Sequence, residues 1–220
     1  MSLITSLSLT QQLAAEYLSF FNKAQVKPQA VNKAERYYQI MIANKARYQA
    51  VANAFGLKGI PWYLIAVLHM RESTFSWTRH LAEGSPLTNR TQLVPKGLPY
   101  ENPKAGVGKP YTWEEGAIAA IKLKIGGYGK NLGSPQWMNF AQDDSLPSLL
   151  NKIEAFNGAG YRKNFALPSP YLWADSTVQK PGKYVADGKF DASVVDTQMG
   201  AGTLLKYFLE KESKKKIGTI

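Results

Sequence analysis

Ile60-Pro61-Trp62-Tyr63-Leu64-Ile65-Ala66-Val67-Leu68-His69-Met70-Arg71-Glu72-Ser73 is the stretch whose reading decides the fold. Pro61 suits the first turn of a helix, where its missing N–H has no intrahelical bond to lose. The run from Trp62 to Leu68 is apolar on every face, so the helix it forms must be buried. It is too short to cross a bilayer, which takes about 20 apolar residues. Near its end Glu72 shares a stripe with Ile65 and Leu68. A carboxylate leaving a buried helix on its apolar side meets two effects that disfavour its charge. These are partial desolvation and the negative C-terminal end of the helix dipole. Both favour the protonated form that a general acid requires, whereas pairing with Arg71 or Arg79 would oppose it.

Outward from this helix, apolar residues at helical spacing predict a helix from Thr10 to Asn22 and another from Ala34 to Phe55, stopped by Gly56. Residues 76–112 are rich in Gly, Pro, Asn and Thr and read as long loops or short strands over the core. Helices resume at Trp113–Ile125, behind a Thr112 cap with Glu114 and Glu115 in the first turn, and at Leu146–Phe156. A loop over Gly158–Gly188 precedes a last helix running from about Asp191 or Val194 to Lys211. The fold class expected is mainly α, with a buried central helix, long loops and little strand.

The 220 residues, 45% hydrophobic, are read as a single catalytic domain with 1–30 as an N-terminal helical extension. No cysteine is present, which excludes disulfides, thiolate metal sites and a cysteine nucleophile. Met1–Thr10 lacks the pattern of a secretory signal, so synthesis in the cytoplasm is expected. The net charge of +11 implies attraction to a polyanion such as nucleic acid, an anionic membrane surface or a bacterial wall. No dense basic stripe interleaved with aromatics accompanies it, so nucleic acid is not expected as a partner. Lys211, Lys214, Lys215 and Lys216 read as a solvated helix end.

Three ordered motifs then raise the standing of Glu72. They are Arg71-Glu72-Ser73-Thr74-Phe75, Gln92-Leu93-Val94-Pro95 and Phe156-Asn157-Gly158-Ala159-Gly160. Together they resemble the goose-type lysozyme and soluble lytic transglycosylase families. Further stretches, among them Ser85–Thr91 and Ser169-Pro170-Tyr171-Leu172-Trp173, are similar to phage-encoded lysozyme-like proteins. The resemblance spans roughly Ala46 to Leu205. It implies a lysozyme-like fold and Glu72 as the catalytic acid, with Ser73, Gln92, Phe156 and Asn157 beside the sugar. The pattern departs from the lytic transglycosylases where Asn89-Arg90-Thr91 replaces glycines and Phe156 replaces a tyrosine, removing a hydroxyl. Phe156 also has a plain reading as core, and Asn157 as a helix end before Gly158.

An inverting hydrolase needs a second carboxylate roughly 6.5 to 9.5 Å from the acid. Glu83, in the loop after Glu72, is the candidate base. Glu101 stays open, whereas Glu114 and Glu115 are explained by helix N-terminal electrostatics. His69 and His80 are the only histidines. With no acidic cluster around them neither metal nor cofactor is expected, and His69 reads as a satisfied core histidine. Among the loop aromatics Tyr171 and Trp173 are the candidates for stacking on sugars.

The expected function is that of a muramidase cutting the β-1,4 bond between N-acetylmuramic acid and N-acetylglucosamine. Its partner would be bacterial peptidoglycan, and the protein a monomeric phage endolysin or related lysis protein. The alternatives are a lytic transglycosylase giving 1,6-anhydro products, and a non-catalytic wall-binding or virion module on the same fold.

Overall fold

The computed structural model describes residues 3–56, 60–100, 111–129, 133–138, 143–186 and 188–217. Helix accounts for 54% of the structure, with one small two-stranded hairpin. The chain forms two compact units, the first of residues 1–42 with 144–220 and the second of residues 43–143.

The first unit holds α1 (Gln11–Lys23) and α2 (Val31–Ala43), the latter ending at the boundary. The second holds α3 (Lys45–Asn53), α4 (Trp62–Ser73), α5 (Trp113–Lys124) and the short α6 (Pro135–Met138). The chain then returns to the first unit for α7 (Leu146–Asn157), α8 (Gly160–Phe165), α9 (Pro170–Trp173), β1 (Lys183–Ala186), β2 (Lys189–Asp191) and α10 (Ala201–Ile217).

In the second unit α4 is the buried helix the sequence demands. Leu64, Ile65, Ala66, Val67, Leu68 and Met70 are all fully buried, and α3 packs against both α4 and α5. Each large aliphatic side chain so placed contributes about 1.5–3 kcal/mol. Trp62 and Tyr63, in the first turn, remain half-buried. Thr112 caps α5 as expected, its hydroxyl accepting from the Glu115 N–H while the Glu115 carboxylate accepts from the Thr112 N–H.

Three expectations are corrected. The helix expected over Ala34–Phe55 is two helices, broken at Asn44, whose φ of −109° and ψ of 15° leave the helical region. The break lies where the chain passes from one unit to the other. The loop expected over Gly158–Gly188 contains α8, α9 and β1. The antiparallel β1–β2 hairpin, pairing Lys183 with Asp191 and Tyr184 with Phe190, also takes up the start expected for the last helix. That helix begins at Ala201 instead, because Gly200 is pressed onto α9. A Cβ at Gly200 would lie 2.2 Å from the Leu172 carbonyl oxygen.

The N-terminal stretch is fastened into the first unit. Arg162, fully buried, donates from Nη1 to the Ile4 carbonyl at 2.9 Å and to Glu16 Oε1 at 2.5 Å. Its Nε donates to Glu154 Oε2 at 2.8 Å, and the Tyr17 hydroxyl donates to the same oxygen at 2.6 Å. Asn151 reaches the Leu7 carbonyl at 2.9 Å. Residues 4–17 therefore complete the core of the first unit.

Candidate active site at the end of the buried helix

Glu72 stands in the last turn of α4 and is half-buried. The helix stops two residues later because Thr74 turns left-handed at φ 52°, its N–H bonding back to the Met70 carbonyl at 2.9 Å. Phe75 follows at φ 62°. Two consecutive non-glycine residues with positive φ cost of order 1–3 kcal/mol each, and such strain persists only where surrounding contacts over-determine it. Here Phe75 is buried and set edge-on to the His69 ring at 5.6 Å.

His69 is the hub of that support. Nε2 donates to the Ser76 carbonyl at 3.0 Å, since a carbonyl can only accept, and Nδ1 accepts the Tyr48 hydroxyl at 3.0 Å. Tyr48, Trp77 and Trp113 enclose the ring, with centroids at 5.9, 4.6 and 4.4 Å. Burial lowers the pKa of His69 to about 4, so the imidazole is neutral. Its two nitrogens are thus engaged by Tyr48 and Ser76, the satisfied core histidine that the sequence suggests.

Beyond Phe75 the chain folds back at Thr78–Leu87. The Leu87 N–H donates to Thr78 O at 2.9 Å, and the His80 N–H to Ser85 O at 2.8 Å. The turn uses Gly84 at φ 78°, and a Cβ there would come within 3.7 Å of the Glu72 carbonyl oxygen. The turn therefore lies on the last turn of α4, with Glu83 next to the contact. Glu83 Oε1 accepts from the Ser85 N–H and hydroxyl, while Oε2 is buried without a hydrogen-bond partner. Arg79, a sequence candidate for pairing with Glu72, donates instead to the Gly84 carbonyl at 2.8 Å.

Lys124, at the end of α5, is the residue that sequence reasoning missed. Burial lowers its pKa, and the attraction of Glu72 partly opposes that shift, so the two side chains are electrostatically coupled. No local pattern links positions so far apart in the chain. Nearby, Arg47 binds Glu114 through Nε at 2.6 Å and Nη2 at 3.1 Å, and its guanidinium lies 3.8 Å from the Trp77 ring centroid. Burial acts to raise the Glu114 pKa, but the Arg47 hydrogen bonds prevail and it is lowered. Glu114 is thereby accounted for structurally, whereas Glu101 lies outside the described residues.

No family model, curated protein or solved structure matches the chain.

The remaining candidates are less concentrated. The Ser73 hydroxyl bonds back to the His69 carbonyl at 3.4 Å. Gln92 is exposed on a loop closed by Thr91, whose hydroxyl donates to Pro95 O at 2.5 Å and accepts from the Leu98 N–H at 2.8 Å. In the first unit Phe156 is buried and Asn157 exposed at the end of α7; the positive φ of 99° falls on Gly158. Tyr171 and Trp173 correct the expectation of sugar stacking. Both are buried in the first unit, Trp173 fully and stacked on Phe20 at 5.9 Å, so neither ring offers a face to a ligand. The Ser-Pro-Tyr-Leu-Trp stretch is a packing motif here, with Ser169 capping α9. Among the described residues no three His, Asp or Glu side chains converge as a metal site, and no helix is long and apolar enough to cross a membrane.

Proposed function

We propose that the chain is a lysozyme-like muramidase that cleaves the β-1,4 bond between N-acetylmuramic acid and N-acetylglucosamine in peptidoglycan. Glu72 is its acid. The observation that carries this reading is the construction around Glu72: a half-buried residue at the end of a buried helix, followed by two left-handed residues, with the turn that bears Glu83 against its backbone carbonyl. Local strain held by a packed aromatic cage is characteristic of positions where a side chain must be aimed. The ordered motifs around Glu72, Gln92 and Phe156 support the same reading.

In this mechanism the Glu72 carboxylic acid gives its proton to the bridging oxygen as the bond from that oxygen to C1 of the muramyl sugar breaks. A water attacks C1 and passes its proton to Glu83. Lys124 stabilises the carboxylate left on Glu72. The net charge of +11 favours adsorption to an anionic wall.

Mass spectrometry of purified peptidoglycan digested with the protein tests the reading. Soluble muropeptides with reducing muramyl ends are expected. Products lighter by one water would replace hydrolysis by anhydro-forming cleavage, and wall binding without soluble products would leave a non-catalytic wall module.

A further inference from the structure

We propose that a second saccharide site lies in the groove between the end of α3 and the start of α4, shaped for an N-acetylated amino sugar. The groove, open to solvent, has a volume of about 540 Å³ and is lined by Gln49, Asn53, Gly56, Ile60, Pro61 and Trp62. That volume falls within the range of small-molecule sites, about 300–1,000 Å³.

Its chemistry is that of sugar recognition. The half-buried Trp62 ring is braced by Tyr48, stacked at 6.4 Å and tilted 23°, and by Tyr63 edge-on at 6.0 Å; Lys45 Nζ lies 5.5 Å from its centroid. A braced indole offers flat apolar surface to the C–H face of a sugar at little cost in side-chain entropy. Gln49 and Asn53 stand one helical turn apart on α3, and Gln49 Nε2 donates to Asn53 Oδ1 at 2.9 Å. This bond fixes the orientation of both amides and leaves an acceptor, Gln49 Oε1, and a donor, Asn53 Nδ2, without partners among the described residues. An acceptor beside a donor matches the N–H and C=O of one acetamido group, and the half-buried Pro61 supplies apolar surface for its methyl. Trp62 is ten residues from Glu72, about 15 Å along α4, so the groove is separate from the acid. The site does not depend on Glu72 being catalytic.

An NMR titration of the full chain with tri-N-acetylchitotriose tests it. Saturable shifts are expected at the Trp62 indole N–H and at the Gln49 and Asn53 side-chain amides, with none from maltotriose, which lacks acetamido groups. Asn53→Ala, an exposed change that spares the core, should weaken binding about fivefold, as for the loss of one hydrogen bond. Absence of these shifts, an equal response to maltotriose, or unchanged affinity in Asn53→Ala would overturn the site. Groove shifts in a chain that cleaves no wall would support this site and overturn only the muramidase reading. Cleavage without groove shifts would overturn this site alone.

Discussion

Glu154 and Glu72 are carboxylates on buried helices, one in each unit, and they differ in how their charge is answered. Glu154 is almost wholly buried, and one of its oxygens receives both Arg162 Nε and the Tyr17 hydroxyl. Burial raises its pKa while the Arg162 charge opposes the rise. Glu72 is half-buried at a helix end, coupled to Lys124 and followed by strained backbone. The first arrangement fastens the N-terminal segment into a core. The second keeps a carboxylate at the protein surface while its backbone is fixed, as proton transfer to a ligand requires. Burial alone therefore does not mark a functional carboxylate.

If that contrast holds, breaking the inner network should cost the most stability. Glu154→Ala takes from the buried Arg162 guanidinium its buried partner and leaves it Glu16, and a loss of about 3–5 kcal/mol in denaturant unfolding is expected. A loss below about 1 kcal/mol would mean that the network is no more than a surface ion pair.

The aromatic cage beneath Glu72 has its own signature. The His69 pKa is about 4 in the folded chain and about 6.5 unfolded, so the unfolded state binds more protons between these values. Stability from the neutral imidazole is complete above about pH 6.5 and falls by about 3 kcal/mol as pH drops to about 4. Glu154, raised by burial, acts in the opposite sense above its unfolded value, so the His69 contribution is read as the difference between wild type and His69→Gln in unfolding at pH 7 and pH 4. Equal pH dependence in the two proteins would refute the buried neutral imidazole.

A smaller effect sharpens the picture of the turn over Glu72. A Cβ at Gly116 would lie 2.9 Å from His80 Nδ1 and 3.1 Å from Leu87 Cδ2, so Gly116→Ala should cost about 1–3 kcal/mol of stability. The thermal midpoint reads it, and an unchanged value would show that His80 has room to move.

Much of the scaffold is legible in the sequence, because α4 announces itself by an uninterrupted apolar run and α5 by its capping box. The break at Asn44 is not, since the apolar spacing continues across it. The late start of α10 is equally hidden: it depends on Gly200 touching the Leu172 carbonyl, a contact between distant segments. For the candidate site, Glu72 and Glu83 are readable from local position, whereas Lys124 comes from the end of another helix. Tyr171 and Trp173 mislead because an aromatic beside a loop signal carries no information about which way its ring turns.

The smallest structural effect belongs to Glu72, the residue on which the proposed function rests. Glu72→Gln keeps shape and volume and should change unfolding stability by less than about 1 kcal/mol. Measured on that same folded sample, the rate of muropeptide release from purified peptidoglycan is the most direct test. A fall of about a hundredfold or more is expected, the usual contribution of a general acid. Release at the wild-type rate from folded Glu72→Gln would contradict the assignment of Glu72 as the acid.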